Sequence, residues 1–155
     1  MIDAFKSLFT ATTAATPEDR AVAQERALRL AASVLLFEIV RADGKVTDGE
    51  RAVMRAGIQG TFGLSAADCE ALMIAAEQQS RTATSLYEFT APIDAQFSDD
   101  QKKRIVELLW LVAFSDVAKD AAEEHMIRKI SGLLHVAHPD FIDAKIKAKG
   151  RSGAS

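Results

Sequence analysis

Apolar side chains recur along this chain at helical spacing, and in two stretches they occupy most sides of the helix they imply. Leu28, Leu30, Val34, Leu35, Phe37, Ile39 and Val40 crowd the first stretch. Ile105, Val106, Leu108, Leu109, Trp110, Leu111, Val112 and Phe114 crowd the second. A helix that is apolar nearly all round must be surrounded by others, so the pattern predicts a central pair with shorter, one-sided helices packed around it. Start signals divide the chain further. Thr16-Pro17 supplies an N-cap and a proline at the first helical position, where its missing N–H costs nothing. Capping boxes stand at Thr47…Glu50, Ser98…Gln101 and Asp120…Glu123, and Ser65 precedes Asp68 in a related arrangement. Together these signals predict helices over 17–41, 48–60, 66–79, 84–95, 99–114, 121–134 and 139–148, with a short amphipathic turn at Ile2–Phe9.

The order of elements occurs twice. A shift of 73 places Leu35-Leu36 on Leu108-Leu109, Phe37 on Trp110, Asp43 on Asp116, Glu50 on Glu123 and Arg55 on Arg128. After a slip of one residue, Gly63–Asp68 falls on His135–Asp140. The pattern "central apolar helix, acidic loop, capped helix, short loop, helix" thus reads as a pseudo-repeat.

Composition agrees with an all-α fold. Glycine and proline number only 8 and 3 of 155 residues, and 48% of the chain is apolar, so it can bury a core without metal or disulfide staples. We read one bundle of about seven helices: an N-terminal segment over 1–16, a helical domain over 17–148 and a flexible tail over 149–155. The net charge of −3 gives no field that would recruit nucleic acid. The apolar runs Leu30–Phe37 and Leu108–Ser115 are too short to insert in a membrane. No cationic leader precedes a continuous apolar stretch, and the lone Cys69 suits a reducing compartment, so a cytoplasmic location is expected.

Three stretches carry a resemblance to a known family: LLFEIVRADGKVTDGE (Leu35–Glu50), FGLSAAD (Phe62–Asp68) and LLWLVAFSDVAKDAAEEHMIRKISGLL (Leu108–Leu134). In this order, with Tyr87 and Phe89 in the linking helix and Phe97-Ser98 before the second half, they resemble the TerB-like tellurite-resistance proteins. The resemblance implies an all-helical cytoplasmic domain of bacterial tellurite resistance and chemical stress response. It also implies protein partners, among them TerC-like membrane proteins and TerD-like calcium-binding proteins, the former placing the domain at the inner face of the membrane. One departure stands out: the second copy has Asp116-Val117 where the pattern has Asp-Gly, and valine adopts positive φ poorly.

The acidic loops carry the candidate chemistry. Asp43, Asp48, Glu50, Asp116, Asp120 and Glu123 place hard oxygen ligands at corresponding ends of the two central helices, which suits weak binding of calcium or magnesium. The spacing is not that of an EF-hand, since Lys45 and Thr47 occupy the third and fifth positions after Asp43. Helix capping accounts for most of the same carboxylates, and the two uses are compatible. No catalytic set is expected. There is no phosphate loop, dinucleotide fingerprint or nucleophile elbow, and no cofactor is required. His125, His135 and His138 are expected at the surface or between helices, Cys69 as an inert thiol, and the aromatics mainly in the core. The function expected is a noncatalytic interaction or divalent-ion-sensing module. The alternatives are a redox or metal-oxyanion-processing enzyme and a structural adaptor on a membrane complex.

Overall fold

The computed structural model describes residues 16–41, 45–115 and 121–152. These form seven α-helices: α1 (Pro17–Val40), α2 (Asp48–Phe62), α3 (Ala66–Thr82), α4 (Tyr87–Gln96), α5 (Asp99–Ser115), α6 (Ala121–Leu133) and α7 (His138–Ser152). No strand occurs among the described residues. The turn expected at Ile2–Phe9 lies outside them.

The capping signals at Thr16, Thr47, Ser65 and Ser98 act as read, while the Asp120…Glu123 box begins outside the described residues. Thr16 Oγ1 accepts from the amide of Asp19 at 3.1 Å, and Ser65 Oγ from that of Asp68 at 3.1 Å. At Ser98 the box is reciprocal: Ser98 Oγ accepts from Gln101 N, and Gln101 Oε1 accepts from Ser98 N at 2.8 Å. Each cap satisfies amides that the first helical turn leaves without partners. At the other ends, Gly63 closes α2 in the left-handed region at φ 65°, and His135 takes φ 58° after α6. The amide of His135 reaches Gly132 O and that of Val136 reaches Ser131 O, the paired bonds of a Schellman turn.

α1 and α5 are the central pair. From Ala27 to Val40 nearly every residue of α1 is buried, and in α5 the same holds from Ile105 to Ala113. The most extensive packings are α5 on α7 and α1 on α3; α2 also lies on α5, and α6 on α1, while α4 touches α1 and α6. Trp110 shows how α7 is held. Its ring stacks on Phe114 with centroids 5.3 Å apart, meets Phe141 edge-on at 5.8 Å, and lies 4.7 Å beneath Lys145 Nζ.

Three helices differ from the pattern by three residues or more at one end. α4 begins at Tyr87 instead of 84, because the amide and hydroxyl of Thr84 both donate to the Glu88 carboxylate at 2.9 Å and hold Thr84–Tyr87 as a turn. Tyr87, expected with the core aromatics, is 66% exposed in that first turn. α3 runs on to Thr82, whose hydroxyl donates back to the carbonyls of Gln78 and Gln79. α7 continues to Ser152, so residues 149–152, read as tail, are helical: Arg151 Nη1 donates to Glu107 at 2.6 Å and Nη2 to Thr61 at 2.9 Å. Pro92 sits within α4 and cannot donate to the carbonyl of Glu88.

Gly57 sets the approach of α2 to α5. A Cβ there would stand 2.9 Å from Val112 Cγ2 and 3.5 Å from Leu108 Cδ1, whereas one at Gly60 would meet nothing within 4 Å. Val112 is β-branched on a helix and has little rotamer freedom with which to yield. Gly57→Ala is therefore expected to lower stability by about 1 kcal/mol, overpacking outweighing the gain in helix propensity. Gly60→Ala should raise stability by about 0.5–1 kcal/mol. Urea unfolding of the two variants checks this, and the opposite ranking would refute the close crossing.

Candidate functional site at the acidic helix starts

The first acidic turn is built by a complete capping box. Thr47 has extended backbone angles, and its Oγ1 accepts from the amide of Glu50 at 3.1 Å. Glu50 Oε1 in turn accepts from the amide of Thr47 at 2.9 Å, leaving Oε2 outside the box. Asp48, the first helical residue, is exposed and its carboxylate accepts no hydrogen bond from a described residue. Its charge is favoured there by the helix dipole and by Arg51 one turn on.

Arg51 ties this turn to α3. Its guanidinium binds Glu77 through two parallel hydrogen bonds, Nη1 to Oε1 at 3.1 Å and Nη2 to Oε2 at 2.5 Å. Arg81 adds a contact to Glu77 Oε2 at 3.3 Å. The Arg51 hydrogen bond, against the opposing effect of burial, holds the Glu77 carboxyl below its ordinary pKa and raises that of Arg51. Beside it, Arg41 Nη1 donates to Ser80 Oγ at 2.6 Å, and the Ser80 hydroxyl donates to Glu38. Arg41, Lys45, Val46, Arg51, Glu77 and Arg81 line an open cleft of about 390 Å³ next to the acidic turn.

Of the six carboxylates singled out in the sequence, Asp43, Asp116 and Asp120 lie outside the described residues. Asp48 and Glu50 stand together at the start of α2. Glu123, at the start of α6, is only 8% exposed and already engaged by a neighbour. Among the described residues no three histidine, cysteine, aspartate or glutamate side chains converge as a metal centre. His125 and His138 are exposed, and His135 Nδ1 lies 2.9 Å from Asp94 Oδ2.

Cys69 is fully buried, with Sγ 3.7 Å from the carbonyl of Arg55. Burial pushes its thiol pKa up and Glu70 adds to the effect, while Arg55 opposes it. Such a thiol is a poor nucleophile.

The ion pairs between helices were not read from the sequence. Lys102, 8% exposed at the side chain, donates to Asp94 Oδ1 at 2.7 Å. It stands three residues before Ile105 and four before Val106, on the apolar face, which was a usable signal. Glu38 offered another, as an acid inside the run Leu35–Val40.

The described residues thus define an all-helical bundle whose polar side chains serve caps and bridges between helices. The chain belongs to the TerB family: the family model described as tellurite resistance protein TerB matches residues 29–146. No curated protein and no solved structure matches it.

The Arg51–Glu77 pair makes stability depend on pH in a defined direction. A carboxyl with a lowered folded-state pKa contributes stability above its ordinary value of 4.5, and loses it as pH falls through the folded-state pKa. Glu77→Gln should therefore cost about 2 kcal/mol at pH 7, by removing a charge-assisted bidentate pair. The variant should also lose less stability than the parent between pH 5 and pH 3 on the scale where model carboxyls titrate, about pH 4. Urea titrations at both pH values read this; equal acid losses would exclude Glu77 as a contributor.

Proposed function

We propose that this TerB-family domain is a noncatalytic module of tellurite resistance and chemical stress response, which docks protein partners and is tuned by a weakly held divalent cation at its first acidic turn. The observation that supports this most is the pairing of a fixed capping box with an exposed carboxylate that accepts no hydrogen bond from a described residue. Glu50 is oriented by its bond to the Thr47 amide, its Oε2 lies outside that bond, and Asp48 is exposed in the same helical turn. Hard oxygen ligands of this kind suit calcium or magnesium, with water completing the shell. Asp43 is the third donor we assign to the turn from its place in the sequence.

The partners that fit this reading are TerC-like membrane proteins and TerD-like calcium-binding proteins. No helix among the described residues is long and apolar enough to cross a membrane, so contact with one would run through such a partner. An enzyme acting on metal oxyanions is less well supported, because Cys69 is buried with a raised pKa.

Titration of the isotopically labelled chain with calcium or magnesium checks the ion-sensing role. Amide shifts are expected over 43–51 at about millimolar ion, in the range of weak oxygen-ligand sites. Asp48→Asn should remove them, and Glu50→Gln, which keeps the cap acceptor, should weaken them. Shifts that are absent, or spread evenly over the surface, would dismiss the role. Partner capture that is indifferent to chelator would instead favour a structural adaptor.

A further inference from the structure

A second cleft, on the other side of α3, carries charge that no described residue answers. Arg26 and Arg29 lie three residues apart on one face of α1 and line, with Leu64, Asp68, Ala71 and Leu72, a cavity of about 500 Å³. Neither arginine makes an ion pair or side-chain hydrogen bond with a described residue. Arg29 is partly buried, and its Nε is enclosed without any hydrogen-bond acceptor. Its guanidinium carbon lies 6.0 Å from the centroid of the Phe62 ring, which faces Arg104 as well at 5.5 Å. The nearby Glu25 is taken by Arg104 at 3.1 Å. Asp68 is then the one carboxylate in the lining, against two cations.

An enclosed guanidinium nitrogen without an acceptor destabilises a fold by itself. The opposite wall is apolar, built by Leu64, Ala71 and Leu72, so the cleft offers a fork of donors at one side and a greasy surface at the other. A bare inorganic oxyanion would leave that wall against water, and the size lies in the range of small-molecule sites. We propose that this α1–α3 cleft binds a small amphiphilic anion. An alkyl carboxylate or alkyl phosphate places its head group on Arg26 and Arg29 and its apolar stem along Leu64 and Leu72. Guanidinium groups recognise both head groups through paired hydrogen bonds. The proposal is independent of the cation reading of the first acidic turn.

The full labelled chain, titrated below the micellar concentration with octyl phosphate and separately with octanoate, tests the idea and ranks the two head groups. Amide shifts are expected within 26–29 and 64–72. Arg29→Met keeps an apolar cover over Phe62 and removes the unanswered charge. It should weaken binding about tenfold or more, equivalent to about 1.4 kcal/mol, with an unchanged or raised Tm. Arg26→Gln, at an exposed position, should weaken binding without affecting Tm. Absence of shifts from both probes would overturn the proposal. It would equally be overturned if octanol or inorganic phosphate alone bound as well, if an acidic leucine-containing peptide bound in their place, or if Arg29→Met bound as tightly as the parent.

Discussion

Two helices that are apolar on almost every side cannot face water, and the arrangement of the other five follows from that constraint. α1 and α5 touch each other, but one contact leaves most of each surface bare. α3 and α7 cover the largest remaining faces, and α2 and α6 fill the flanks, each packing on both central helices. Burial of a leucine or phenylalanine side chain is worth about 1.5–3 kcal/mol, so the run of buried residues in each central helix supplies the dominant driving force. The peripheral helices need only one apolar stripe each. Their outer faces are free to carry the charges seen there.

The same enclosure governs the polar groups. Ser33 and Ser131 are buried, and each returns its hydroxyl to a carbonyl four residues back, Arg29 and Ile127 respectively, at 2.8 Å. Ser80 is shared between Arg41 and Glu38, and Lys102 is matched to Asp94. A polar group taken from water without a partner costs about 1–3 kcal/mol; among the described residues Arg29 Nε, Thr90 Oγ1 and Trp110 Nε1 are buried without one, and only the first belongs to a charged group. Phe62 contributes by presenting its ring to two guanidinium groups, an arrangement that keeps Arg29 and Arg104 close to the helix surface.

Helix positions were legible in the sequence because caps and apolar periodicity are local signals. Thr16, Thr47, Ser65 and Ser98 each mark a start to the residue, and the crowded runs in α1 and α5 identify the central pair. Gly63 and His135, which end α2 and α6, both have left-handed backbones. The extents of α4 and α7 were less legible, since the Thr84–Glu88 turn and the Arg151 clamp rest on side-chain geometry that periodicity does not encode. The candidate site shows the same division. The Thr47–Glu50 box could be read from spacing alone. The Arg51–Glu77 bridge spans 26 residues, and the Arg26–Arg29 cleft depends on what α3 places opposite α1.

Asp94 joins three elements through one carboxylate: its own helix α4, Lys102 at the start of α5, and His135 in the turn after α6. In kinetic terms its two bonds are unequal. The first closes a loop of 8 residues and the second one of 41. Loop closure favours the short span, so the Lys102 contact costs less chain entropy to form than the His135 contact, which also needs α6 in place. A contact that closes so long a loop would be felt chiefly in the rate of unfolding rather than of folding.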